Sequence, residues 1–203
     1  MNKKVVFGIL GVLVLIVVIV GFSITGTYNT LVQLDQAAQA QWGQVENTYQ
    51  RRADLVPNLV ETVKGVSNFE KETLIAVTEA RAKVGQVGSG ALQNAVNDPA
   101  ALQRFQQAQD GLSSALSRLM VVVEKYPELK ATENFRALQA QLEGTENRIT
   151  VERMRFNESA QAFNTKRESF PTVVIAGFFG AKFQTKGYFK AAAGAEKAPA
   201  VKF

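Results

Sequence analysis

Residues 31–63 read LVQLDQAAQAQWGQVENTYQRRADLVPNLVETV, and their spacing decides the fold class. Apolar side chains return at Leu31, Leu34, Ala38, Trp42, Val45, Tyr49, Val56, Leu59 and Val63. Steps of three, four and seven residues hold these on one face of a helix, whereas a half-buried strand would alternate. The helix is expected to end near Gly65. A kink is expected at Pro57, which lacks an N–H and crowds the preceding turn.

Upstream, no break separates this stripe from a different kind of sequence. From Val5 to Phe22 every residue is apolar or glycine, and the first charge after Lys4 is Asp35. A helix rises about 1.5 Å per residue and the hydrocarbon core takes roughly 20 residues, so Val5 to Ile24 is long enough to span it. Gly26 is a candidate bend at the exit. The rival is a cleaved signal peptide, which would carry a shorter apolar region and a small-x-small cleavage site. Gly21-Phe-Ser-Ile-Thr-Gly-Thr-Tyr28 offers only a poor one, so an uncleaved anchor is the better reading. Lys3 and Lys4 precede the anchor, and the first basic residue beyond it is Arg51. The positive-inside rule then places the N-terminus in the cytoplasm and the domain outside.

Downstream, Ser67-Asn-Phe-Glu70 reads as a capping box opening a second helix, with Leu74, Val77, Ala80 and Val84 on its apolar face. Gly85 to Gly90, Gly-Gln-Val-Gly-Ser-Gly, reads as a flexible connection. Asp98-Pro99 supplies the N-cap and first position of a third helix, which Tyr126-Pro127 stops. Its stripe is Leu102, Phe105, Ala108, Leu112, Leu116, Leu119, Val123 and Tyr126. Thr132 caps a fourth helix with a core face of Phe135, Leu138, Leu142, Ile149, Phe156, Ala160 and Phe163, and Phe170-Pro171 ends it. The expected fold is all-α. Residues 1–27 form a cytoplasmic stub and transmembrane helix, and residues 28–169 an elongated antiparallel four-helix bundle packed in the manner of a coiled coil. Residues 170–190 form an apolar and basic membrane-proximal segment, and residues 191–203 a disordered tail. Four alternating helices return the chain to its starting side, so Pro171 to Gly180 is expected near the bilayer.

Composition removes whole classes of chemistry. The 203 residues include neither cysteine nor histidine. Disulfides are impossible, the usual ligands of zinc, copper, haem and iron–sulfur sites are missing, and triads that need His or Cys are excluded. A carboxylate site for Mg²⁺ or Ca²⁺ stays open, but no D-x-D-x-D-G run supplies one. The formal charge is +5, yet the adjacent basic pairs are confined to Lys3-Lys4, Arg51-Arg52 and Lys166-Arg167, with no aromatic ladder between them. That pattern gives no nucleic-acid interface. No cofactor is expected.

Some charges break the helical pattern. Arg52 falls inside the first stripe, Glu146 and Arg153 inside the fourth, and Arg81 lies beside Val77 and Val84. A charge on a core-facing stripe must be paired, because burying one alone costs several kcal/mol. With the first and fourth helices antiparallel, Arg52 is expected to pair with Glu146. Arg52, Arg81, Glu146 and Arg153 read as a structural polar clasp that sets helix register. An active carboxylate at Glu146 is the weaker reading, since neighbouring arginines would make it a poor general acid. Arg51, Asp54, Asn58 and Glu61 form a second polar stripe opposite Val56, either simply solvated or a contact face. In the tail, Phe178, Phe179, Phe183, Tyr188 and Phe189 interleave with Lys182, Lys186 and Lys190. Aromatics and lysines beside an apolar run suit the membrane–water interface, and a cap on the end of the bundle is the equal alternative.

Four stretches, YNTLVQLDQAAQAQWGQVENTYQRRADLVPNLVETVKG, EKETLIAVTEARAKV, YPELKATENFRALQAQLEGTENRI and FNTKRESFPTVVIAGFFGAKFQTKGYF, also resemble the LemA family of bacterial membrane proteins. They cover most of the chain from Tyr28 to Phe189 in the family's order. The resemblance implies an N-terminal anchor and a helical bundle in the bacterial inner membrane, and no catalytic residues. It also leaves open a domain on the cytoplasmic side. The expected function is that of a non-enzymatic structural scaffold that self-assembles through its helical domain at the lipid bilayer. The alternative is an adaptor that binds another membrane protein such as a membrane protease, with a Glu146 hydrolase a distant third.

Overall fold

The computed structural model describes residues 3–65 and 69–190, except for the side chains at 3–6 and 88–94. It is all-α, with no strand among the described residues. Helix α1 spans Lys3–Lys64, 62 residues in one piece, or about 93 Å at the α-helical rise. It passes through Gly26 without a break, and the hydroxyls of Thr25 and Thr30 donate to the carbonyls of Gly21 and Gly26, each at 2.9 Å.

The order continues with α2 (Lys71–Ala95), α3 (Pro99–Val123), a single turn α4 (Pro127–Lys130), α5 (Glu133–Glu168) and α6 (Thr172–Phe178), then a 3₁₀ turn at Gly180–Phe183. The caps read from sequence act at two starts. Asp98 accepts the Ala100 N–H at 2.8 Å with Pro99 in the first turn, and Thr132 accepts the Phe135 N–H at 3.4 Å. Such caps occupy N–H groups that have no partner inside the helix. The capping box expected before α2 falls partly outside the described residues. The helix begins at Lys71, so Glu70 precedes it, and Ser67 lies outside the described residues. Residues 191–203, expected to be a disordered tail, also lie outside them.

Gly85 to Gly90, expected as a flexible connection, are helical, and α2 continues to Ala95. Glycine costs about 1 kcal/mol in a helix interior relative to alanine. Here apolar residues within the run and on both sides of it are held by the core: Val84 packs with α3, and Val87, Ala95 and Val96 pack with Trp42 and Phe105. Tertiary contacts at both ends outweigh the local preference for a loop.

α1 packs along α5, and α2 along α3. Within each pair the helices are antiparallel. Residues ascending α1 from Gln41 to Arg52 meet residues descending α5 from Glu152 to Glu146. Three apolar clusters follow one another along the body. The cluster farthest from the apolar end of α1 joins Val56, Leu59 and Val63 to Val77, Leu112, Leu119, Phe135 and Leu142. The middle one gathers Trp42, Val45, Tyr49, Phe105, Ile149 and Phe156. The third, at the base, holds Leu31, Phe163, Ala176 and Phe183, with Tyr28 and Leu34 against them.

Pro57 lies inside α1. Having no N–H, it leaves the carbonyl of Ala53, four residues earlier, without its helical donor. Arg81 of α2 fills the vacancy: its Nε donates to Ala53 O at 3.0 Å. Arg81 therefore stitches α2 to α1 at the proline. Arg81→Met is expected to lower unfolding stability by about 1 kcal/mol, the usual net worth of a hydrogen bond. In a Pro57→Ala background, where the helix supplies its own donor, the same change should cost far less. Denaturant titration of the four-membered mutant cycle measures the difference; equal costs in both backgrounds would contradict this role.

Candidate functional site

Between the first two apolar clusters lies a polar layer built on one buried cation. Arg52, only 1% exposed, donates from Nη1 to Glu146 Oε1 and to Ser113 Oγ, each at 2.7 Å. Its Nη2 donates to the Gln109 carbonyl at 3.2 Å and to the Gln109 side-chain oxygen. The guanidinium carbon stands 5.1 Å from the centre of the Tyr49 ring, a cation–π contact. A planar donor fork can thus tie α1 to α3 and α5 at once. The ion pair is asymmetric, because the Glu146 side chain is 43% exposed.

Arg81 and Arg153, grouped with this pair from sequence, do not join it. Arg81 serves Ala53. Arg153 donates to the Lys190 carbonyl at 2.8 Å and lies 4.8 Å from the centre of the Phe189 ring. Helical projection places residues on a face but does not say which neighbour that face meets.

A second polar layer separates the middle cluster from the base. Here the cation is Lys186, expected at the membrane surface but with a side chain that is fully buried. Its ammonium donates to Asp35 of α1 and to Asn97 at the α2–α3 corner, and lies 4.6 Å from the centre of the Phe163 ring. Phe183 and Phe189, also expected at the lipid border, are buried in the apolar clusters on either side. Phe189 stacks on Trp42 at 5.9 Å and meets Phe156 edge-on at 5.6 Å. Phe178, Phe179, Lys182, Tyr188 and Lys190 remain exposed.

The inward turn of the tail has a specific cause: amide side chains grip its backbone. Asn164 accepts the Lys186 N–H at 2.8 Å and donates to the Lys186 carbonyl at 2.9 Å. Asn157, two helical turns away on α5, does the same to Phe189, both bonds at 2.9 Å. Gln106 of α3 brackets Lys190 at 2.8 and 3.3 Å. Residues 184–190, which have no regular structure of their own, therefore form a strap across α1, α3 and α5. Gly187 lies at a close approach: a β-carbon there would come within 2.9 Å of Leu102 Cδ2 and 3.3 Å of Pro99 Cα, so Leu102 and the strap would have to shift. The sequence did carry a signal for this arrangement. Asp35 stands next to Leu34 on the stripe of α1, and Asn157 and Asn164 stand seven apart beside the apolar face of α5.

The stripe Arg51, Asp54, Asn58 and Glu61 is exposed along its length. Asp54 accepts from Gln50 and Glu61 pairs with Lys64, both within α1. Burial raises the pKa of the Glu46 carboxyl, and the bond from the Trp42 indole, 2.8 Å long, pulls it back. Glu146, the candidate for acid–base work, is instead engaged by Arg52. Glu146→Ala is expected to destabilise the protein by about 2 kcal/mol, below the usual cost of breaking a fully buried pair because its carboxylate already meets water. Arg52→Met combined with Glu146→Leu should recover most of that loss in the same denaturant titration. A single mutant of undiminished stability would count against a structural clasp.

A model of the LemA family matches residues 41–203. Magnetosome protein MamQ of Magnetospirillum gryphiswaldense is 28% identical over 169 residues, covering 76% of this chain and 62% of that protein. Magnetosome protein MamQ 2 of Paramagnetospirillum magneticum is 27% identical over 177 residues, 80% of this chain and 64% of the relative. Protein LemA of Metamycoplasma hominis is 25% identical over 155 residues, 76% of this chain and 66% of its own length. The matches thus span just under two thirds of each of these relatives.

Proposed function

This chain belongs to the LemA family, and we propose that it is a non-enzymatic, single-pass membrane protein that self-assembles through its helical domain. One observation carries the reading. The apolar start of α1 is exposed on all sides, with Leu15 59% and Phe22 78% accessible, while the same helix continues into the core at Leu31. So long an apolar surface, uncovered by the rest of the molecule, needs a bilayer or an equivalent apolar phase. The remainder then stands off the membrane as an elongated antiparallel four-helix bundle.

The case against catalysis is how the buried charges are used. Arg52 and Lys186 each hold several elements together, and both side chains are buried. The names of the relatives specify no reaction. For assembly, the exposed stripe of Arg51, Asp54, Asn58 and Glu61 carries both signs of charge, so it can complement a second copy of itself. On this reading the purified full-length protein in mild detergent is expected to run as one large, homogeneous species, measured by light scattering coupled to size exclusion. A monomer throughout would overturn self-assembly, and a stoichiometric second protein retained through purification would favour the adaptor.

Orientation follows Lys3 and Lys4, which hold the N-terminus in the cytoplasm. Val121, 67% exposed and far along the body, is a suitable reporter in a chain with no cysteine. Val121→Cys should react with an impermeant thiol reagent in intact spheroplasts. Labelling only after lysis would put the domain in the cytoplasm.

A further inference from the structure

With Phe183, Lys186 and Phe189 turned inward, the most exposed apolar surface of the tail lies on α6 and Phe170 just before it. This helix buries Thr172, Ile175 and Ala176. It leaves Val173 and Val174 43% and 53% exposed, and Phe178, at its end, 86%. Phe170, just before it, is 84% exposed. Large apolar side chains left this open beside one another mark an interaction surface.

The location of the patch indicates what covers it. Tyr28 of α1 meets the ring of Phe179 at 4.9 Å and that of Phe183 at 5.6 Å, and Lys182 donates to its hydroxyl. Tyr28 lies four residues beyond Ile24, about 6 Å along the helix. α6 is therefore packed beside the point where the apolar segment of α1 ends. The charge around it is mainly basic: exposed Lys182 at the 3₁₀ turn, and half-buried Lys166 and Arg167 in the last turn of α5, with Glu168 as the acidic neighbour. Apolar side chains with lysines at their edge fit a surface of acyl chains bounded by anionic phosphates. A second copy offering the same face would bring two sets of these cations together.

We propose that Phe170, Val173, Val174 and Phe178 are seated in the headgroup and upper acyl region of the bilayer that α1 crosses, with Lys182 against anionic phospholipid. The protein then holds the membrane at two points, the span and this foot, and the body cannot swing freely about α1. This rests on the reading of α1 as a membrane anchor.

The test uses the full chain in nanodiscs of phosphatidylethanolamine and phosphatidylglycerol, loaded at one copy per disc. Spin labels are attached singly at Phe178→Cys, at Leu15→Cys within the span, and at Val121→Cys as the water reference. The Phe178 label is expected to lose most of its collisions with an aqueous nickel chelate and to gain collisions with oxygen, as the Leu15 label does. A Phe178 label as open to the chelate as Val121, with Leu15 still shielded, overturns the foot and leaves the anchor standing. If Leu15 itself meets the chelate, the anchor reading fails first. Shielding of Phe178 only in discs with several copies would replace the lipid contact with one between copies, and would also overturn the proposal.

Discussion

The continuity of α1, a single helix from Lys3 to Lys64, is the constraint from which the rest of the structure follows. One helix of 62 residues is apolar on every side at its start and apolar on one stripe later. Because the backbone repeat is continuous, the rotation and height of that stripe are set from the apolar segment onward. α5 then packs along α1, and the base of the domain falls wherever the all-round apolar surface stops. Pro57 is the one residue in α1 that interrupts its bonding pattern, and an arginine from α2 makes good the lost donor.

Along this axis, apolar layers alternate with polar ones. Each polar layer centres on a buried cation, Arg52 in one and Lys186 in the other, with partners on several elements. Apolar contacts alone tolerate sliding of one helix past another, since one leucine fits beside another equally well a turn away. A buried charge does not, because a shift of one turn strands it without a partner at a cost of several kcal/mol. We propose that the two layers fix register at two heights, a use of buried charge that brings geometric definition more than stability.

The strap extends this logic to the C-terminal side. Residues 184–190 have neither helix nor strand to hold them, so their backbone groups must be bonded by side chains. Asn157, Asn164 and Gln106 supply those bonds in pairs. The strap draws the α2–α3 corner, α1 and α5 together near the base of the body.

What the sequence determined by itself was the local and periodic part. The period of 3.6 residues, the all-round apolar run, and the caps at Asp98 and Thr132 depend on neighbours within a turn or two. The Arg52–Glu146 pair was also legible, because two antiparallel helices of known length leave little freedom in which residues meet. The tertiary structure alone decided the helical state of Gly85 to Gly90, the separate duties of Arg81 and Arg153, and the inward course of the tail. Lys186 illustrates the reason. Its pattern with Phe183 and Phe189 has the composition of an interfacial segment, yet its partner Asp35 lies 151 residues away. Burying that lysine becomes favourable only when Asp35, Asn97 and Asn164 converge from separate elements, and no local spacing records that convergence.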